Sequence, residues 1–69
     1  MDRIFVELTR PSGVKVLLDI KRIVAIYEHG TNKTRTFIAT DYDKDDWIEV
    51  VGEYKDISEK CLSLMRELS

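Results

Sequence analysis

The chain has 69 residues, 43% apolar and 35% charged, with a net charge of −2. This describes one small domain over residues 1–69, too apolar to stay disordered and too evenly charged to live in a bilayer. No apolar run approaches the ~20 residues of a membrane-spanning helix, and a single cysteine, Cys61, excludes an intrachain disulfide and fits a reducing cytoplasm.

Arg3–Thr9 alternates, with Ile4, Val6 and Leu8 facing one way and Arg3, Phe5, Glu7 and Thr9 the other, the pattern of a half-buried strand. Arg10-Pro11-Ser12-Gly13 is a turn, because proline presets φ at the first corner and Gly13 can take the left-handed position that follows. Val14–Ile20 predicts a second strand with Val14, Val16, Leu18 and Ile20 on its core face. Asp19–Arg22 is polar enough for a corner. Ile23–His29, rich in β-branched and aromatic residues, predicts a third strand. Gly30–Lys33 reads as a hairpin turn on the tolerance of Gly and Asn for positive φ. Thr34–Thr40 is a fourth strand, Asp41–Asp46 a charged loop, and Trp47–Val51 a short fifth strand stopped by Gly52. From Glu53 the period becomes helical: Tyr54, Ile57, Cys61, Leu64, Met65 and Leu68 form one stripe, with acidic residues in the first turns where they complement the helix dipole. The fold class is α+β: an antiparallel meander of four to five strands with one C-terminal amphipathic helix packed on one face.

One helix covers one face of a sheet, and the uncovered face of a monomer should be polar. Here the far face keeps Phe5, Leu17 and strand-three residues such as Tyr27. Cores of this size supply only ~3–5 kcal/mol. Self-association, or docking on a larger protein, is therefore expected, with Phe5, Leu17 and Tyr27 at the interface.

The charge balance disfavours nucleic acid. Residues 1–40 carry seven basic and four acidic side chains and residues 41–69 carry four and nine. An acidic domain without a basic, aromatic-studded strip lacks what phosphate binding requires. Met1–Glu7 has too short an apolar run for a secretory leader, so the sequon Asn32-Lys33-Thr34 is expected to be idle.

Candidate chemistry is sparse. Asp41-Tyr42-Asp43-Lys44-Asp45-Asp46 begins like a calcium loop but has Asp46 where the loop needs glycine and Gly52 where it needs a bidentate glutamate. Cys61 lies on the helix's apolar stripe and His29 beside a turn, which is not a nucleophile–base arrangement. One cysteine and one histidine do not close a zinc site. The three glycines are too far apart to cradle a phosphate. The expectation is a non-enzyme without cofactor or metal. Trp47 and Tyr54 are expected to clamp the strand–helix junction, with Trp47 the alternative binding anchor. His29, Arg35, Phe37 and Trp47, with Tyr27, are the candidate ligand or partner cluster around the third and fourth strands.

Leu8-Thr9-Arg10-Pro11-Ser12-Gly13 resembles the opening L-T-R-x-N-G hairpin of the small FlbD/SwrD-type flagellar proteins. Similarity continues through Ile23-Val24-Ala25-Ile26-Tyr27-Glu28 and Val50-Val51-Gly52-Glu53. The sequence departs from that pattern at Ser12 and across Asp41–Trp47. The resemblance implies a non-enzymatic accessory of a larger machine. A phage or mobile-element protein that binds or sequesters a host factor or small ligand is the alternative.

Overall fold

The computed structural model describes residues 3–68, with residues 43–46 described in their backbone alone. Its element order is β1 (Phe5–Thr9), β2 (Lys15–Asp19), a 3-10 turn (Ile20–Arg22), β3 (Ile23–Glu28), β4 (Arg35–Thr40), β5 (Asp43–Val51) and α1 (Tyr54–Arg66). The α+β class and the antiparallel pairing are as the alternation predicts. The single meander is not. β1 and β2 form a two-stranded sheet, and β3, β4 and β5 form a separate three-stranded one in that order.

The cause lies at the corner. Asp19 is buried, and its carboxylate accepts the Lys21 amide at 3.0 Å, capping a 3-10 turn that carries the chain out of the plane of β2. The backbone amide of Ile20 bonds back to the Ile4 carbonyl, whereas the Arg22 carbonyl accepts from the amide of Asp41, in the turn between β4 and β5. Residues two apart thus bond toward different sheets, and β2 does not pair with β3.

The core lies between the two sheets and α1. Val6 and Leu8 of β1 and Leu18 of β2 meet Ile20, Ile23, Ile38, Val50, Ile57 and Cys61, all buried. β1 packs against β5, and α1 against the 3-10 turn, β3 and β4, so helix and hairpin share the covering of the inner face. A fully buried aliphatic side chain contributes ~1.5–3 kcal/mol, and Ile38 and Val50, wholly inaccessible at the middle and end of the sheet, anchor this layer.

Several local expectations change. Val14 precedes β2 and is exposed rather than facing the core. Gly13 does take the left-handed position, at φ 93°. The β3–β4 turn uses no positive φ at all. His29 Nδ1 instead accepts the amides of Thr31 (3.1 Å) and Asn32 (2.9 Å), and Asn32 Oδ1 accepts the Thr34 amide and hydroxyl at 2.9 and 2.6 Å. Side-chain acceptors do what glycine was expected to do. The segment expected to be a charged loop enters β5 at Asp43, opposite Thr40, with a register shift before Trp47 pairs with Ala39. The side chains of that acidic run, and with them its calcium-like pattern, lie outside the described residues.

β3 also breaks strict alternation. Ile23 pairs with Thr40 but Ala25 with Ala39, so Val24 is an extra, bulged residue. Ile23 and Ile26 turn inward, while Ala25 and Tyr27 share the outer face.

Candidate functional site

The outer face of the three-stranded sheet is built by register. Ala25, Ala39 and Trp47 lie in one row across β3, β4 and β5, and Tyr27, Phe37 and Glu49 in the next. Trp47 and Tyr27 stand on the two outer strands in successive rows. The small Ala25 and Ala39 leave the space between them open, and the two rings close over it, stacked at 4.7 Å between centroids and 9° between planes. Phe37 meets Trp47 edge-on at 5.8 Å, and the His29 ring stacks on Phe37 at 5.0 Å. Offset stacks and edge contacts of this kind are worth ~0.5–1.5 kcal/mol each beyond burial. The result is a pre-organised aromatic shelf whose summit stays in water: Trp47 is 54% exposed and Tyr27 43%.

Arg35 and Glu49 share this face. The guanidinium donates to the carboxylate at 3.0 Å across β4 and β5. Among the described side chains of the shelf, its cation and its anion neutralise one another. His29 is held by the two turn amides on Nδ1, which requires the proton on Nε2 and leaves only that nitrogen to donate outward. Thus Tyr27, His29, Arg35, Phe37 and Trp47 come together on one surface.

Phe5 and Leu17 do not join them. They lie on the outer face of the β1–β2 sheet, exposed beside Glu7 and Lys15. The expected clamp of Trp47 with Tyr54 also fails. Trp47 faces out with Tyr27 because it shares the parity of Glu49, opposite to the inward Ile48 and Val50, whereas Tyr54 begins α1 and lines a groove along β3. That parity was the available signal for Trp47, and it also puts Glu49 beside Arg35.

Cys61 and Thr36 are built into the core. Cys61 is fully buried, and burial pushes its thiol up from the ordinary value, the Lys60 ammonium acting in the opposite, smaller sense. A buried neutral thiol behaves as a small hydrophobe. Thr36, also fully buried, donates its hydroxyl to the Gly52 carbonyl at 2.8 Å, and the Gly52 amide donates to the Thr34 carbonyl at 2.7 Å. These two bonds fix the step from β5 into α1. Among the described residues no cluster of three or more His, Cys, Asp or Glu could hold a metal ion, and no helix is long and apolar enough to cross a membrane.

No protein-family model, no curated protein and no solved structure matches this chain.

Proposed function

We propose that this chain is a small non-catalytic protein-interaction module, an oligomeric cytoplasmic accessory of a larger assembly, and that the aromatic shelf is where it docks on that assembly. The single observation behind this reading is the half-exposed Trp47–Tyr27 stack on an open sheet face. Tryptophan and tyrosine dominate binding hot spots because they bury much area at little entropic cost. Here the rings are already ordered by one another, so docking need not freeze them. A neutral shelf supports a protein occupant over a single nucleic-acid strand, which would need unpaired cations along the stack, whereas Arg35 is held by Glu49. The flagellar-accessory reading rests on the sequence resemblance.

The test is site-specific photocrosslinking in host cells. A photoreactive phenylalanine analogue at Tyr27 should give a discrete adduct with a protein of the assembly. The same probe at Val14, exposed but off the shelf, should give none. The adduct should reform with the purified partner and disappear with Trp47→Glu. Equal labelling from both positions, or persistence of the adduct in Trp47→Glu, would refute the shelf as the docking surface.

A further inference from the structure

Resting on that interaction-module reading, we infer that a second copy of this chain pairs antiparallel along the free edge of β3, across a two-fold axis. β3 has a hydrogen-bonded neighbour on one side only, β4. An open edge is a template for another strand, and proteins usually blunt it with proline, lysine or inward charges. The run Ile23–Tyr27 has none of these. Its bulge pushes Val24 outward instead, and at 64% exposure Val24 is the most exposed large apolar side chain among the described residues. Beside it, β3 and α1 leave a groove of about 240 Å³ lined by Val24, Ile26, Tyr54, Leu62 and Met65. Leu62 and Tyr54 there are themselves substantially exposed.

Charge selects the occupant. Arg22, just before β3, is held by Asp41 at 3.3 Å. Among the described residues Lys21 beside it makes no ion pair, and Glu28 at the far end of β3 makes none. The two ends of the edge thus carry unpaired charges of opposite sign. A parallel copy would set like against like. An antiparallel copy sets the Lys21–Arg22 end of one edge alongside the Glu28 end of the other, and the symmetry makes the contact twice. With Ala25 on the axis, Val24 stands opposite the partner's Ile26, at the mouth of the partner's groove. A strand from an unrelated protein of uniform charge would satisfy only one end. One strand edge and one groove make a small interface, at the low end of specific contacts, so dissociation in the micromolar range is expected.

Analytical ultracentrifugation of the full chain, from about 10 µM to 1 mM, tests this. The mass should rise from 8.1 kDa toward twice that value. Val24→Lys, at an exposed position, should stay monomeric throughout with an unchanged circular dichroism spectrum. Lys21→Glu and Glu28→Lys should each weaken dimerisation by about tenfold, and the double reversal should recover it, because each copy again offers opposite charges. A wild-type monomer at every concentration would overturn the inference. So would a dimer that survives Val24→Lys, or a double reversal no better than the singles. If Trp47→Glu rather than Val24→Lys dissolves the dimer, the shelf and not the edge joins the copies. A monomeric wild type that still crosslinks through Tyr27 would sink the edge pairing alone and leave the docking shelf standing.

Discussion

Gly52→Ala should be severely destabilising. Gly52 sits at φ 134°, a backbone conformation that L-residues rarely adopt, and a Cβ there would fall 2.8 Å from Ile57 Cδ1 and 3.0 Å from Cγ1. The backbone cannot swing away to relieve this. The Gly52 amide is bonded to Thr34 and its carbonyl to the buried Thr36 hydroxyl. Nor can Ile57 retreat easily, since it is buried in the core beside Cys61. Backbone strain of this kind costs ~1–3 kcal/mol, and forcing extra volume into a packed site a further ~1–3 kcal/mol. Together that is about 2–6 kcal/mol, against a total stability of about 3–10 kcal/mol for a domain of this length. Urea and thermal unfolding followed by circular dichroism at fixed protein concentration should show the midpoint temperature lowered by at least about 10 °C. The loss of most folded signal at room temperature is the upper limit. A midpoint within about 2 °C of the parent would refute the claim that the β5–α1 step has no room for a side chain.

Other consequences are smaller or differ in kind. Thr36→Val keeps the shape but strips the Gly52 carbonyl of its 2.8 Å partner, so urea unfolding should show a loss of ~1–3 kcal/mol. His29→Ala removes the acceptor for two turn amides and the stack on Phe37. Because water can replace the hydrogen bonds, the loss should be only ~0.5–1.5 kcal/mol, with hydrogen exchange of the Thr31 and Asn32 amides accelerated. Cys61 should resist a thiol-specific disulfide reagent in the folded state and react fully in denaturant. Its thiol is raised by burial in the folded chain, so the unfolded chain loses that proton first as pH climbs. The contribution is intact below the ordinary thiol range and shrinks as pH rises through it toward the folded value. Urea midpoints from pH 7 to 10 should therefore fall more steeply for the parent than for Cys61→Ala, and parallel profiles would contradict this.

How much of this was written in the residue pattern depends on the scale at which it is read. The β1–β2 hairpin was legible because Val6, Leu8, Val16 and Leu18 keep strict alternation around a Pro11–Gly13 turn. The helix was legible because Ile57 and Cys61 fall four apart on an apolar stripe, and both are buried. The split into two sheets was not. A polar corner at Asp19–Arg22 is visible, but the pattern does not distinguish a chain that folds back in plane from one that leaves through an Asp19-capped 3-10 turn. The start of β5 at Asp43 was hidden because its ladder is a backbone affair with Thr40 that acidic side chains do not advertise. On the shelf, the nearness of Tyr27, His29, Arg35 and Phe37 follows from a hairpin. The place of Trp47 among them needed β5 to be read by parity rather than by its adjacency to the helix. The bulge at Val24 lay beyond reach, since one extra residue in an unbroken aliphatic run leaves no mark on composition.

The Trp47–Tyr27 stack has a practical corollary. Trp47 is the only tryptophan in the chain, so near-ultraviolet emission excited above the tyrosine band arises from one indole, on the shelf itself. Half in water and half against a phenol ring, that indole will change colour and intensity when its remaining solvent is displaced. The molecule thus carries an intrinsic optical gauge of occupancy at the surface proposed for docking, and titrations can be read without attaching a dye.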